Sequence, residues 1–200
     1  MSLDDREKWN ARYREQGAPS APSSFLTGLD ALLPRSGRAL DVGGGAGRNA
    51  LWLARRGLAV TLADVSEVAL EQAARAAREG GLPLATVQVD LEAAPMPDGP
   101  WDLIVCTYFL HRPLFAAFAE ALGPDGWLVF AHATRKNLER RARPGPAYVL
   151  EEGELATLVG GLHVLELREG WFEEGRHEAR LVARKLPHRE VARGPTVIEP

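Results

Sequence analysis

Residues 39–54 read "ALDVGGGAGRNALWLA" and place four glycines within five positions, between a short apolar run and a helix-like pattern. A strand followed at once by glycines and then a helix makes a turn where backbone approaches a ligand closely, at the carboxyl edge of a parallel sheet. Dinucleotide enzymes write this turn as G-x-G-x-x-G, with pyrophosphate on the helix N-terminus. Here Gly43, Gly45 and Gly47 give G-x-G-x-G, and Arg48 stands where the third glycine would fall. The dinucleotide fingerprint is missed by one residue, and a tight turn with a purely structural role is the minority alternative for the loop taken alone.

Working outward, short apolar runs alternate with helical patterns. The expected order is strand 39–42, helix 47–56, strand 59–63, helix 67–79, strand 85–89, strand "WDLIVCT", helix 113–122 and strand "GWLVFAHA". Strands separated by helices of about ten residues or more signal right-handed crossovers and a parallel sheet, and such uniformly apolar runs suit a sheet covered on both faces. Two later runs, "LHVLELRE" and "HEARLVARK", alternate like strands around "GWFEEGR" and predict an antiparallel hairpin closing the sheet edge. Before the core, helical spacing over 3–16 puts Leu3, Trp9 and Tyr13 on one face, and Ser23 or Ser24 caps a short helix running to about Leu33.

The expected organisation is a helical cap over 1–37, a ligand-binding α/β domain over 38–185 and a Pro- and charge-rich tail over 186–200. The chain has 200 residues, enough for one sizeable core. Its 46% hydrophobic and 26% charged residues are ordinary globular usage. No apolar run approaches the roughly 20 residues that cross a bilayer, and "MSLDDREKWN" lacks a secretory signal, so the expected location is cytoplasmic, with no membrane partner. The net charge of −3 gives no general attraction to polyanions, so nucleic acid is not the expected partner. The single cysteine, Cys106, sits in an apolar run, which excludes a disulfide framework and predicts a small buried hydrophobe. Monomer and homodimer are both compatible with the sequence.

The neighbours of the loop sharpen its reading. Asp41 lies just before it, Asp64 ends the next strand, and Asp90 ends the third in "VQVDLE". Three strand ends thus present an acid at one sheet edge. A carboxylate at the second strand end can accept both hydroxyls of a ribose.

Through "ALDVGGGAGRNALWLARRGLAVTLADVSEVALEQA" the chain resembles the class I S-adenosylmethionine-dependent methyltransferases, and the likeness extends from about Trp9 to Lys185. The resemblance implies a Rossmann-like, doubly wound, mostly parallel seven-stranded sheet with an antiparallel C-terminal strand. It implies S-adenosylmethionine as cofactor, S-adenosylhomocysteine as product, and methyl transfer to an acceptor. On that basis Gly43, Gly44, Gly45 and Gly47 lie under the methionine portion. Asp64 with Val65 holds the ribose, Asp90 and the backbone of Leu91 meet the adenine, and Asp41 helps place the methionine amino group. Asn49 and Thr107 complete the cofactor set, with Trp9 and Tyr13 either packing or closing over it. Gly44 departs from the small side chain common there. Within the family, "WNARYREQ", "TYFLHRPLF" and "RPGPAYVLEEGEL" resemble the tellurite-resistance and thiopurine-methyltransferase-like branch.

A sulfonium makes its methyl group electrophilic, so the protein mainly positions a nucleophile. Ionised sulfur, selenium or tellurium acceptors attack without a base, whereas an alcohol or protonated amine must lose a proton. The end of the fourth strand offers Tyr108, His111 and Arg112 as the catalytic or substrate-contacting candidates, each with a purely structural alternative. Members that methylate amines of adenine or glutamine carry Asn- or Asp-Pro-Pro-Tyr at this position; "CTYF" points instead to a small-molecule acceptor. The basic run Arg135, Lys136, Arg140, Arg141 and Arg143 is either a lid or a solvated loop. A nicotinamide-dependent oxidoreductase and a cofactor-binding module without turnover are the competing readings.

Overall fold

The apolar runs of the sequence become the seven strands of one sheet in the computed structural model, which describes residues 3–17 and 20–187. Strand β1 covers Arg38–Val42, β2 Ala59–Asp64, β3 Leu84–Gln88, β4 Trp101–Thr107, β5 Leu122–Ala133, β6 His163–Trp171 and β7 His177–Arg184. Their order is β3-β2-β1-β4-β5-β7-β6, with β7 antiparallel to both its neighbours and the first five strands mutually parallel. Helix α1 spans Leu3–Gln16, α2 Ser24–Gly28, α3 Arg48–Arg55, α4 Glu67–Glu79, α5 Leu114–Ala121 and α6 Glu154–Leu158. From residue 188 onward the expected tail lies outside the described residues.

Two hydrophobic layers sandwich the sheet because successive strand residues point to opposite faces. Leu103, Val105, Val129, Ala131 and Val182 meet α2, α3 and α4 on one face. Ile104, Cys106, Leu128, Phe130 and Leu181 meet α5 and α6 on the other. The helices expose the complementary polar stripes: α4 buries Ala69, Leu70, Ala73 and Ala77 and is capped by Ser66, whose Oγ accepts from Ala69 N at 3.2 Å. Cys106 is buried among these side chains, as its setting in the sequence suggests.

The late hairpin forms, but its inner place belongs to the later strand. β7 is buried along its length, with Ala179, Leu181 and Ala183 on one face and Val182 on the other, whereas β6 leaves Val164, Leu165 and Leu167 largely exposed and takes the edge. A strand that is apolar on both faces gains most from a central position. β5 also begins four residues earlier than the apolar run, at Leu122, with an irregular register opposite Trp101 and Leu103. Among the described residues no helix is long and apolar enough to cross a membrane.

Candidate functional site

Because β1 to β4 run parallel, their carboxyl ends converge on one edge, and a cavity of about 990 Å³ opens above it. Gly43, Gly44, Ala46, Arg48, Asn49, Asp64, Val65, Val89, Leu91 and Thr107 contribute to its floor and walls. Three left-handed glycines, Gly43, Gly45 and Gly47, shape the loop. Gly45 has φ +58°, donates its N–H to Asp64 Oδ2 at 2.8 Å, and has the Tyr13 phenol where a Cβ would stand. Gly47, at φ +79°, starts α3, and a Cβ there would lie 2.8 Å from Ala73 Cβ. Only glycine adopts these angles without strain and permits this approach.

The two strand-end acids differ from surface carboxylates. Asp41 is fully buried; Oδ2 accepts from Ala50 N at 3.0 Å, while Oδ1 is buried with no partner. Burial pushes its pKa up to about 7 against the pull of the Ala50 N–H and Arg48. A Cβ at residue 44 would stand 2.5 Å from the Asp41 carboxyl, which accounts for glycine at that position. Asp64 is 7% exposed and accepts from Gly45 N and, through Oδ1, from Ser66 N at 2.9 Å; burial raises its pKa against those donors. Asp90 turns Oδ1 onto Glu92 N at 3.0 Å, and its flanking residues Val89, Leu91 and Glu92 line the cavity. Asn49 is a buried clamp that accepts from Ser23 N at 2.9 Å and donates to Thr107 Oγ1 at 2.9 Å.

Helix α1 covers the cavity with Trp9 and Tyr13, whose rings stack at 6.0 Å. It is fastened to α4: Ser66 Oγ donates to Asn10 Oδ1 at 2.7 Å, Asn10 Nδ2 to Glu67 Oε1 at 2.8 Å, and Gln72 Nε2 to the Tyr13 carbonyl at 2.8 Å. Burial, with Asp64 nearby, raises the Tyr13 phenol.

Past β4 the three candidates separate. Tyr108 lines the cavity at φ +62°, a conformation that costs a bulky residue about 1–3 kcal/mol and persists only where its surroundings impose it. Its hydroxyl donates to Glu178 Oε1 at 2.7 Å, and burial beside that carboxylate pushes the phenol up to about 12. Glu178 is wholly buried on β7 and also accepts from Arg180 Nε at 2.9 Å. His111 and Arg112 are not among the cavity-lining residues. His111 accepts from Leu114 N in the turn leading to α5, and Arg112 pairs with Glu154 and donates to the Val149 carbonyl. Glu154, which starts α6, and Glu151 just before it are thus taken by Arg112 and Arg135.

A family model described as a methyltransferase domain matches residues 39–126. That match covers less than half of the chain, and it makes this stretch similar to methyltransferase domains. The chain is 32% identical over 163 residues to the ubiquinone biosynthesis O-methyltransferase of Paracidovorax citrulli (strain AAC00-1), covering 77% of this chain and 61% of that protein. It is 31% identical over 152 residues to the S-adenosyl-L-methionine-dependent Diels-Alderase iccD of Talaromyces variabilis, covering 72% of this chain and 52% of that protein. The chain therefore spans only about half to three fifths of these relatives. In fold it resembles TehB from Haemophilus influenzae, with a TM-score of 0.65 and 23% identity over 80% of this chain and 60% of that one.

Several cavity residues carry no clear signal in the sequence. His132, near the end of β5, is 3% exposed; Nε2 donates to the Tyr148 carbonyl at 2.8 Å, which leaves Nδ1 as the lone-pair nitrogen, buried and without a partner. Burial lowers its pKa and keeps the ring neutral. The signal was a lone histidine in the apolar run "GWLVFAHA", ending at the active edge. Tyr148, Asn137, Arg143 and Arg176 also line the cavity and carry no comparable local pattern. The basic run is largely docked. Arg135 pairs with Glu151, Arg140 stacks 3.9 Å over Trp171, and Arg141 donates to the carbonyls of Gly175 and Glu174, while Arg143 reaches the cavity.

Proposed function

We propose that this protein transfers a methyl group from S-adenosylmethionine to a small-molecule nucleophile, with a sulfur, selenium or tellurium anion as acceptor. The observation that carries the reading is Asp64, a strand-end carboxyl that lines the cavity directly beside the left-handed glycine loop and is held in place by the Gly45 and Ser66 N–H groups. Asp41 lies beneath that loop, wholly buried and outside the cavity lining, and supports the floor through Ala50 N. Asp64 then holds the ribose hydroxyls, and Val89, Leu91 and the Asp90 loop receive the adenine. Gly43 to Gly47 run under the methionine portion, and Trp9 and Tyr13 cover the cofactor. When bound, the cofactor supplies a methyl group made electrophilic by its sulfonium.

The protein's own groups favour an acceptor that arrives ionised. The Tyr108 phenol stays protonated up to about 12 and is tied to Glu178, so it is no base near neutrality. His111 and Arg112 are absent from the cavity lining, and His132 Nδ1 has no exposed surface. The residues accordingly bind, orient and exclude water.

Calorimetric titration with S-adenosylmethionine, S-adenosylhomocysteine and a nicotinamide dinucleotide tests the cofactor. Dinucleotide binding without binding of the sulfonium would end the reading. Transfer of labelled methyl to a panel of thiols, selenols, tellurium oxyanions, phenols and amines tests the reaction. The likeness to a Diels-Alderase supports one second reading, a bound cofactor without methyl transfer. Tight cofactor binding with no methylated product across the panel would favour it.

A further inference from the structure

Most of the protein's shielded guanidinium groups are matched to carboxylates: Arg180 to Glu178 and Glu174, Arg112 to Glu154, and Arg56 to Asp30. Two half-buried arginines facing the cavity are not. Arg48, at the start of α3, and Arg176, at the end of the β6–β7 turn, both line it, and among the described residues neither forms an ion pair. Their guanidinium carbons lie 5.2 and 4.9 Å from the centroid of the same Tyr108 ring. Glu178, the carboxylate bonded to that ring's hydroxyl, is shared between Tyr108 and Arg180. Of the acids lining the same cavity among the described residues, Asp64 is turned onto the glycine loop, Asp5 belongs to α1 and Glu92 stands beyond β3.

The turn that presents Arg176 is fixed. Phe172 N donates to the Arg176 carbonyl at 2.9 Å, Gly175 N to the Phe172 carbonyl at 2.9 Å, and Arg141 clamps the carbonyls of Gly175 and Glu174. The two guanidinium groups stand at one ring, at most about 10 Å apart; the buried Asp41 carboxyl offsets charge only from the Arg48 side, and both groups attract an anion that enters the cavity. The planar fork of arginine matches carboxylate and phosphate oxygens. The cavity, at about 990 Å³, lies at the upper end of the roughly 300–1,000 Å³ usual for ligand sites, leaving room for an organic molecule beside a cofactor.

We propose that Arg176, with Arg48 at the same Tyr108 ring, forms a subsite for an oxyanion, carboxylate or phosphate, carried by an organic methyl acceptor. The inference rests on the methyltransferase reading above for what occupies the rest of the cavity. It makes the acceptor a molecule with two marked ends, a nucleophilic atom at the sulfonium and an anion on the arginines. Tyr108, held at its left-handed backbone angle by Glu178, is the positioning residue at whose ring both cations stand.

The test is calorimetric titration of the protein saturated with S-adenosylhomocysteine, using benzoate, phenyl phosphate and the neutral benzamide. At least one anion is expected to bind about tenfold or more tightly than benzamide. Arg176→Gln is expected to bring anion and amide within about threefold while changing the S-adenosylhomocysteine affinity by less than about twofold. Arg176→Lys, keeping the charge but not the fork, should retain part of the preference. Equal binding of all three probes, or an anion preference that survives Arg176→Gln, overturns the subsite. A large loss of S-adenosylhomocysteine affinity in Arg176→Gln also overturns it, by assigning the arginine to the cofactor. Absence of S-adenosylhomocysteine binding in the wild type would be a failure of the methyltransferase reading; the same probes titrated into the ligand-free protein then decide the anion site by itself.

Discussion

The two ends of the cavity are built in different ways. At the glycine-loop end, the lining comes from strand termini and the turns after them: Asp64, Gly43, Gly44 and the residues flanking Asp90, all delivered by the parallel crossovers, with Asp41 buried beneath them. At the other end, the walls are side chains from residues far apart in sequence, Tyr108, His132, Tyr148 and Arg176, held by contacts such as Tyr108 to Glu178 and His132 to the Tyr148 carbonyl. The first end is fixed by the topology of the sheet. The second depends on which side chains a particular chain supplies, so it is where acceptor choice can vary without disturbing the fold.

That contrast can be broken first at Gly47. Gly47→Val forces a β-branched residue to φ +79° against Ala73, and equilibrium urea denaturation is expected to record a loss of about 3 kcal/mol or more. A variant of near wild-type stability would mean that the loop is less constrained than its angles imply. Next is Asp64→Ala, expected to weaken S-adenosylhomocysteine binding by about 1.5–3 kcal/mol, the scale of losing a charged hydrogen-bond partner. Calorimetry giving an unchanged affinity would remove Asp64 from the ribose.

A subtler probe is Asp41. Its folded pKa is raised to about 7, so the stability tied to its neutral form is complete below the ordinary carboxylate value and is lost as pH rises through 7. Relative to Asp41→Asn, the wild type should lose about 2 kcal/mol between roughly pH 5.5 and 7.5, read from denaturation midpoints across pH. Parallel stability curves for the two proteins would contradict a buried, unpaired carboxyl. The smallest effect belongs to Arg112→Gln. Its half-exposed pair with Glu154 contributes at most about 1 kcal/mol to stability, and cofactor affinity should not change. A marked loss of affinity would place Arg112 in the site after all.

The same division explains what could be read from the residues alone. Strand and helix order, the glycine turn and the positions of the three acids follow from local periodicity and chain order, and the helices 3–16 and 67–79 form over the expected spans. The inner placement of β7 was harder to see, since alternation alone does not say which of two hairpin strands is covered on both faces. His132 sat in plain view in "FAHA", yet a lone histidine in an apolar strand looks like a packing residue until the strand end is known to open on a cavity. Arg176 had no local signature, because its meaning comes from Tyr108, 68 positions earlier in the chain. His111 and Arg112 drew attention by following β4, but the turn after Tyr108 carries them toward α5 and Glu154 instead.

The insertion of β7 between β5 and β6 has a consequence for the order in which a ribosome releases this chain. Residues through β5 can assemble the parallel half of the sheet and its glycine loop while β7 is still unsynthesised, leaving the flank of β5 open. The buried Glu178 that restrains Tyr108 emerges only with β7, directly after Arg176. A nascent molecule therefore acquires the glycine-loop end of its cavity before the other end is complete. β7, which leaves the ribosome after β5 and β6, fills the gap between them and completes the cavity wall.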